Sequence, residues 1–491
     1  MKKYSFAILF GLCLMLCPGA WSHVGSPDVY YEAMAGPYKL FVTVRTPPMV
    51  PGIAQIEVRC LEGTVNDIEI VPLRVIGEGS KTTPPADRMA RTVGDSHFFT
   101  GKLWLMESGS WQVRMDVSGT EGKAQLAVPV PAYAQRTLGM QKTTGLVLAG
   151  LMIFLTVSLV SIFGAAARES QLEPGIEIPA AGRSRARIVM AVAAVAVVGI
   201  LFLGDMWWTS IATIEANTNV YKAPPVEVSL SGENTLVLKI GPSPWHEHRK
   251  QMQLDNIIPD HGHLMHLFLL RMPEMDDFYH LHPEESAIGT FTDKIPAVGG
   301  GSYAVFADIV RESGFPDTMT AEIDLPAKDK GATLTGDDSN TVAQKISTVQ
   351  TDRTTAPLGS GVHVEWLLDT TTLRAQKPEL LRFRVTRNDG GVANDLEPYM
   401  GMAGHLVIFR RDLAVFAHVH PAGSIPMAAL GLLQQSNASG GHSMAGMSDD
   451  VTTNEITFPY GFPQAGDYRL FLQVKRAGHV ETAVFDAHVK P

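Results

Sequence analysis

After an apolar N-terminus, the chain enters short runs in which hydrophobic and polar residues alternate. Gly, Pro and Asp separate these runs, and such alternation is typical of β-strands that bury one face. The runs occupy residues 38–45, 53–60, 68–75, 111–117 and 124–130. Residues 23–135 are therefore predicted to form a small β-sandwich.

Two long apolar stretches, residues 144–167 and 188–208, interrupt the alternating pattern. Each can cross a hydrocarbon core of about 30 Å as a helix, and each carries almost no charge. The pattern therefore predicts two transmembrane helices joined by a cytoplasmic loop at residues 168–187. The arginines that favour the cytoplasmic side of this loop are Arg168, Arg183, Arg185 and Arg187.

Residues 1–22 have the three-part pattern of a secretory signal peptide: Lys2 and Lys3, an apolar run, and a short segment that ends at Ser22. Cleavage there, followed by an inward and an outward crossing, places residues 23–143 and 209–491 outside the cytoplasm. We therefore expect a bacterial inner-membrane protein with N-terminal and C-terminal domains in the periplasm. His23 would become the mature N-terminal residue, where its amine and imidazole could together bind copper.

The chain beyond the second apolar stretch contains an internal repeat. The first copy reads Pro259-Asp260-His261-Gly262-His263-Leu264-Met265-His266-Leu267 and ends in Phe278-Tyr279-His280-Leu281-His282-Pro283. The second copy reads Pro398-Tyr399-Met400-Gly401-Met402-Ala403-Gly404-His405-Leu406 and ends in Phe416-Ala417-His418-Val419-His420-Pro421. Further downstream, Gly301-Ser302-Tyr303-x-x-Phe306-x-Asp308 matches Gly466-Asp467-Tyr468-x-x-Phe471-x-Gln473. Two homologous β-domains are therefore predicted, at residues 226–328 and 351–491.

Residues 329–350 between the two copies are rich in Gly, Asp, Thr and Asn. This composition predicts a linker that permits relative motion of the two domains. The predicted fold class is thus mainly β, with three immunoglobulin-like β-sandwich domains outside the membrane and two transmembrane helices.

Composition argues against several functional classes. The formal net charge is −10 and the basic residues are scattered, which is unlike a nucleic-acid-binding protein. Of the three cysteines only Cys60 lies beyond the apolar N-terminus, so an internal disulfide framework is not expected. We find no nucleotide-binding glycine loop in a strand-to-helix context and no Ser, Cys or paired-carboxylate constellation, so the chain is predicted not to be an enzyme.

Candidate chemistry is concentrated in histidine, because fourteen of the sixteen histidines follow the second apolar stretch. Residues i and i+2 of a strand project from the same face, so a His-x-His pair can aim two imidazoles at one point. The two such pairs are His280 with His282 and His418 with His420. Because His266 and His405 begin the preceding strand of each copy, a hairpin would add one of them to each pair and give three nitrogen ligands per domain.

The expected metal is copper rather than zinc. His263 and Met402 occupy matching positions of the two copies, as do His261 and Met400. Copper accepts both imidazole and thioether ligands, whereas zinc gains little from thioethers. The candidate metal ligands are His266, His280, His282, His405, His418, His420, His263 and Met402. A His- and Met-containing stretch at residues 440–447 could be a metal-capturing arm or only an exposed loop.

A structural role competes with metal binding for these histidines. Each His-x-His-Pro could end a strand, with imidazoles that hydrogen-bond backbone carbonyls and pin the turn at Pro283 or Pro421. His266 and His405 share strand faces with apolar residues and could be core histidines. Geometry can decide, because bonds near 2 Å to one shared ion require ligand nitrogens within about 4 Å of each other.

Two motifs resemble exported bacterial proteins. Phe99-x-Gly101-x-Leu103-x-Leu105, followed by Gly109-x-Trp111-x-Val113, is similar to the closing strands of YtkA-like and FixH-like β-domains. The segment from Asp395 through His405 to His418-Val419-His420-Pro421 resembles the copper-associated His-x-His-Pro repeat of such exported proteins. The resemblance implies exported β-domains that handle copper.

Together these observations predict a membrane-anchored periplasmic metal-binding protein that sequesters copper or delivers it to another envelope protein. The alternative is an envelope scaffold or interaction protein whose histidines are structural.

Overall fold

Strands with one buried face build two-layer sandwiches in the part of the chain that the structure describes. This computed structural model covers residues 27–77, 84–173, 175–232, 234–248, 255–345, 354–359, 361–437 and 454–491. The predicted signal peptide at residues 1–22, His23 and the stretch 440–447 lie outside these residues. The predicted fold class, β-sandwiches together with two long apolar helices, is confirmed.

The N-terminal sandwich begins with β1 (Val29–Ala35), β2 (Tyr38–Arg45), β3 (Gly52–Glu62), β4 (Val65–Arg74), β5 (Asp87–Arg88), β6 (Ala90–Thr92), β7 (Asp95–Leu105), β8 (Gly109–Gly119) and β9 (Gly122–Ala132). One sheet has the order β1-β2-β3-β7-β6 and the other β5-β4-β8-β9. The five alternating runs correspond to β2, β3, β4, β8 and β9. In β3, for example, Ala54, Ile56 and Val58 are buried between exposed or half-buried neighbours, so the alternation does mark the core face.

The first repeat comprises β10 (Val226–Ser231), β11 (Thr235–Ile240), β12 (Ile257–Ile258), β13 (His266–Met272), β14 (Asp277–Leu281), β15 (Glu284–Ala287), β16 (Thr290–Lys294), β17 (Gly301–Arg311), β18 (Pro316–Leu325) and β19 (Ser339–Val342). Its sheets have the orders β10-β11-β16-β15 and β12-β17-β13-β14-β19, with β18 also paired to β17. A short helix (Pro244–His248) lies between β11 and β12.

The second repeat comprises β20 (Thr355–Pro357), β21 (Val362–Trp366), β22 (Pro378–Arg387), β23 (Leu396–Glu397), β24 (His405–Arg410), β25 (Phe416–Val419), β26 (Glu455–Gly461), β27 (Gly466–Arg476) and β28 (His479–Val489). It also contains a 3₁₀ turn (Thr370–Thr372) and a helix (Met427–Asn437). Its sheets are β20-β21-β22-β26 and β23-β27-β24-β25, with β28 paired to β27. The hairpins β13-β14 and β24-β25 therefore occupy equivalent places in the two repeats.

The two repeats pack against each other through the outer faces of these equivalent sheets. Phe268 and Phe278 of the first repeat share one buried cluster with Phe409, Phe416 and Phe471 of the second. The Phe278 and Phe471 rings stack with centroids 4.2 Å apart. Because the opposite faces of the same strands fill the separate cores of the two sandwiches, both faces of these strands are apolar.

The segment predicted as a linker, residues 329–350, differs from that prediction. Its residues Ser339–Val342 form β19, which pairs with β14. The Ser339 hydroxyl accepts a hydrogen bond from Gln473 of the second repeat, and the Gln344 carbonyl accepts one from Arg469. The described part of this segment therefore connects the two repeats through hydrogen bonds. Its polar composition suggested a linker, but its polar groups accept hydrogen bonds from buried side chains of the second repeat.

Two helices of the described chain are long and apolar enough to span a membrane: α1 (Lys142–Glu169) and α2 (Ala180–Asn219). The first nearly coincides with the predicted stretch 144–167. The second extends beyond residues 188–208 at both ends, because hydropathy marks only its apolar centre while the helix continues through polar residues. The loop between the helices is consequently shorter than the predicted 168–187, and its cytoplasmic location remains a prediction.

Candidate metal centre

Strand geometry brings the repeat histidines to the interface between the two repeats. In the first hairpin Phe268 pairs with His280, and in the second Val407 pairs with His418. His266 lies two residues before Phe268, so its side chain projects from the same face. The histidines therefore extend the phenylalanine cluster at one end of the interface, as the period of two predicts.

One group of three imidazoles belongs entirely to the first repeat. His266, His280 and His282 each offer a nitrogen, and these atoms all lie within 4.8 Å of one another. Nδ1 of His266 and Nε2 of His280 are 3.2 Å apart. The structure thus brings together the three residues predicted for this repeat.

The second group crosses the interface and corrects the prediction for the second repeat. It consists of His405 and His420 with His261 of the first repeat, and its ligand nitrogens also lie within 4.8 Å of one another. Nε2 of His261 is 3.2 Å from Nε2 of His420. His418 is not in this group; its ring lies alongside, with its centroid 5.2 Å from that of His405. His418 was predicted as the third ligand because each hairpin was considered within its own repeat, whereas His261 reaches this group from the other repeat.

Hydrogen bonds to oxygen acceptors fix which ring nitrogen of most group members carries its proton. Carbonyl and carboxylate oxygens can only accept, so the imidazole nitrogen that contacts one must donate. These contacts join His261 Nδ1 to Met400 O (3.1 Å), His266 Nε2 to Asp260 O (3.1 Å), His280 Nδ1 to Gln473 Oε1 (2.9 Å), His282 Nδ1 to Asp338 Oδ1 (2.9 Å) and His420 Nδ1 to Ile425 O (3.0 Å). The remaining nitrogen of each neutral ring is therefore an unprotonated acceptor that faces its group.

This arrangement leaves acceptors facing acceptors. The nitrogen pairs His266–His280 and His261–His420 are each at 3.2 Å, yet neither member has a proton to donate if the rings are neutral. Nε2 of His282 and both ring nitrogens of His405 are buried and have no hydrogen-bond partner among the described residues. Buried polar atoms without hydrogen-bond partners destabilise the folded protein. A bound cation would pair with these nitrogens and remove that free-energy cost.

Burial keeps these imidazoles neutral. Desolvation lowers the pKa of His261 and of His266 to about 4. Desolvation, reinforced by neighbouring imidazoles, also lowers the pKa well below the ordinary value for His280, His282, His405, His418 and His420. Neutral imidazole is the form that binds metals, so burial favours coordination over protonation.

His263 borders the first imidazole group, whereas Met402 packs elsewhere. The His263 ring stacks on His282 with centroids 4.0 Å apart, and its Nε2 is 3.4 Å from Asp337. Met402 instead packs in the hydrophobic cluster of the N-terminal sandwich, beside Ile425 and Met427. The structure therefore gives no support to Met402 as a thioether ligand, because apolar side chains surround it.

Sequence reasoning missed one ligand candidate and the residues that orient the others. His261 was recognised only as the counterpart of Met400, and its place in the second group depends on how the repeats dock. Gln473 and Asp308 occupy matching positions in the downstream motifs of the two copies. Each is a polar residue on an otherwise apolar strand, and this feature could have identified them as partners of the histidines. Asp338 lay in the presumed linker.

The residues present fit a metal ion bound by imidazoles. Two nitrogens about 2.0 Å from a tetrahedral ion lie about 3.3 Å apart, close to the 3.2 Å of each facing pair. All three ligand nitrogens of each group lie within 4.8 Å of one another, so a shift of at most about 1 Å brings them within the limit of about 4 Å. Acceptors on the distal nitrogens are the usual outer-shell partners of ligating histidines.

Comparisons with known proteins provide little functional information. A family model described as a domain of unknown function (DUF8832) matches residues 358–491, which is most of the second repeat. No curated protein matches the chain. Because the matched description names neither YtkA-like nor FixH-like proteins, that resemblance remains a prediction.

The solved structures to which this chain is similar have low sequence identity and low TM-scores. An engineered protein is 15% identical, with 20% of this chain and 21% of that protein covered, at a TM-score of 0.15. A tetra-tandem repeat from the extending region of a large adhesion protein is 7% identical, with 90% and 72% covered and a TM-score of 0.17. An ICAM-5 D1–D4 ectodomain fragment is 8% identical, with 90% and 73% covered and a TM-score of 0.15. The chain thus spans about a fifth of the first protein, and no functional argument rests on these similarities.

Proposed function

We propose that this chain is a membrane-anchored metal-binding protein that holds up to two copper ions between its repeats. The observation that carries this proposal is the pair of facing nitrogen contacts, His266–His280 and His261–His420, each at 3.2 Å and each made by rings whose opposite nitrogens contact oxygen acceptors. A cation placed between such acceptors would remove the unfavourable contact. Each of the two groups would supply three imidazoles to one ion.

Copper is favoured over other metals by the donor set. Three neutral imidazoles suit Cu and Zn, and the affinity of nitrogen sites for divalent ions is highest for Cu²⁺. Hard oxygen-preferring ions such as Mg²⁺ and Ca²⁺ do not match this set. Zinc would satisfy the same geometry and is the less favoured candidate.

The two apolar helices support a membrane-anchored location for this activity. The predicted signal peptide and the arginines between the helices favour domains on the periplasmic side of a bacterial inner membrane. There the protein would sequester copper or deliver it to another envelope protein. The competing function is an envelope scaffold, favoured by the carbonyl contacts that His261, His266 and His420 make, since such contacts also pin turns.

Metal content of the purified full chain tests the proposal. We expect two copper ions per chain after equilibration with buffered copper and removal of excess, measured by elemental analysis. The double variant His280→Ala/His282→Ala should retain one ion, and His405→Ala/His420→Ala should also retain one. Each change removes two of the three nitrogens in one group and leaves the other group intact.

The exposed histidines of β28 provide the matched control. His479→Ala/His488→Ala removes two imidazoles from the second repeat without touching the centre and should retain two ions. Negligible copper in the unmodified chain, or equal copper in all variants, would refute the metal proposal and favour the scaffold.

A further inference from the structure

In each repeat, a histidine of the hairpin faces a polar residue on a strand of the other repeat. These two matching contacts differ in the kind of polar residue and in distance. Gln473 on β27 accepts a hydrogen bond from His280 of the other repeat at 2.9 Å. At the matching position on β17, Asp308 approaches His418 of the other repeat, with Oδ2 3.8 Å from Nδ1. A neutral amide in one half is thus replaced by a carboxylate in the other, and the close hydrogen bond is replaced by a gap.

Both members of the wider contact have polar atoms without partners. Oδ1 of Asp308 and Nε2 of His418 are buried and have no hydrogen-bond partner among the described residues. The side chain of His418 is 6% exposed and that of Asp308 is 21% exposed. A buried carboxylate oxygen and a buried imidazole nitrogen without partners, on side chains that approach to 3.8 Å, suit a metal cation.

Asp308 and His418 line a cavity of about 490 Å³ where the N-terminal sandwich meets both repeats. Tyr30 and Trp111 contribute walls from the N-terminal sandwich. The cavity also contacts His266 of the first imidazole group and His420 of the second. One space therefore adjoins a ligand candidate of each group.

The charges around this cavity favour a cation. Its described charged lining residues, histidines apart, are Asp28, Asp260, Asp308, Asp317 and Lys222. The Asp317 carboxylate is held by Arg311 at 2.8 Å and by Tyr221 at 2.7 Å, while Oδ1 of Asp260 accepts from the Ala428 backbone at 2.6 Å. Asp308 retains an uncommitted carboxylate oxygen, so it is the acid best able to meet an incoming ion.

We propose that Asp308 and His418 form an entry site at which a hydrated divalent cation is received before it passes to the two three-imidazole groups. This inference rests on the proposed function. One carboxylate oxygen and one imidazole nitrogen would hold the ion, and water would complete its shell in the cavity. A mixed oxygen and nitrogen donor pair suits a divalent ion such as Cu²⁺ better than a soft monovalent one.

Loading kinetics of the metal-free full chain in detergent micelles test the entry site. Protein and Cu²⁺ are mixed, excess metal is removed at short intervals, and the copper content is measured at each time. Asp308→Asn, which keeps the shape of the side chain, should slow loading about tenfold, because the amide cannot supply the anionic oxygen that a divalent ion binds. His418→Gln should slow loading similarly, and both variants should finally reach two ions.

Asp324→Asn serves as the matched control, because Asp324 is an exposed acid on β18 of the same repeat. It should load at the unmodified rate, and an equal slowing would assign the effect to net charge and overturn the entry site. Unmodified rates in both Asp308→Asn and His418→Gln would also overturn it, as would a final content of one ion, which would make this pair part of a permanent site. If the unmodified chain binds no copper, the proposed function itself fails, which distinguishes the two failures.

Discussion

Acidification from pH 7 to pH 5.5 should lower the free energy of unfolding of the metal-free protein by a few kcal/mol. Burial lowers the pKa of the seven histidines His261, His266, His280, His282, His405, His418 and His420. Below about pH 6.5 the unfolded chain therefore binds protons that the folded protein excludes. The contribution of the neutral histidines to the free energy of unfolding is fully present above pH 6.5. It is lost as the pH falls towards the folded-state pKa, which is about 4 for His261 and His266.

Buried carboxylates act in the opposite direction and reduce the expected effect. Burial raises the pKa of Asp308 and of Asp338 to about 7, and it also raises the pKa of Asp260 and of Asp293. These groups bind protons in the folded state first, so acid stabilises their folded form. Because the seven histidines outnumber the four carboxylates, unfolding still takes up protons below pH 6.5, and acid still lowers the free energy of unfolding.

Urea titrations at pH 7 and pH 5.5, followed by tryptophan fluorescence, measure this loss. His280→Gln/His418→Gln should flatten the pH dependence, because two of the excluded protons are removed. The exposed change His479→Ala should leave it unchanged. A urea midpoint that stays constant across this range would contradict the burial of neutral imidazoles at the interface.

Replacement of Arg469 by Met should separate the repeats and reduce the copper content from two ions to one. Arg469 is 3% exposed and binds Asp486 through two parallel hydrogen bonds of 2.8 and 2.9 Å. Its third nitrogen donates to the carbonyls of Met275 and Gln344 at 2.8 and 3.0 Å, on the other side of the interface. Removal of one partner of a buried ion pair costs about 3–5 kcal/mol, and here it also leaves two carbonyls unpaired.

The loss should be selective, since the two imidazole groups depend differently on docking. His261 joins His405 and His420 only while the repeats are in contact, whereas His266, His280 and His282 share one repeat. Arg384→Met is the control, because Arg384 is 41% exposed and pairs with Glu455 at the surface. That change should cost less than about 1 kcal/mol and retain two ions. Loss of both ions, or of neither, in Arg469→Met would contradict the cross-repeat assignment.

Local pattern predicted much of the fold. Strand alternation located β2, β3, β4, β8 and β9, because each buries one face and the period of two is visible in the sequence. The first-repeat group of His266, His280 and His282 followed from the same period and from a short hairpin. All three residues lie within a single local element, which is why their convergence could be predicted.

The failures share a different cause. His418 was expected beside His405 and His420, but His261 of the other repeat takes that place. Met402 was expected as a ligand, but it packs in the cluster of the N-terminal sandwich. Both outcomes depend on which surfaces dock, and the periodicity of one strand contains no information about the partner of its outer face.

By itself the sequence determined the mainly β architecture, the two apolar helices, the duplication of the C-terminal domains and the pairing of histidines on common strand faces. These features follow from local hydrophobic spacing and from identity between two copies. The tertiary structure alone decided that the histidines of both copies meet in one buried interface, where oxygen atoms outside the two groups contact one ring nitrogen of most of them. That outcome required the outer faces of β13, β14, β24 and β25 to be apolar enough to bury each other, so the cost of desolvating the imidazoles is offset by the phenylalanines packed beside them.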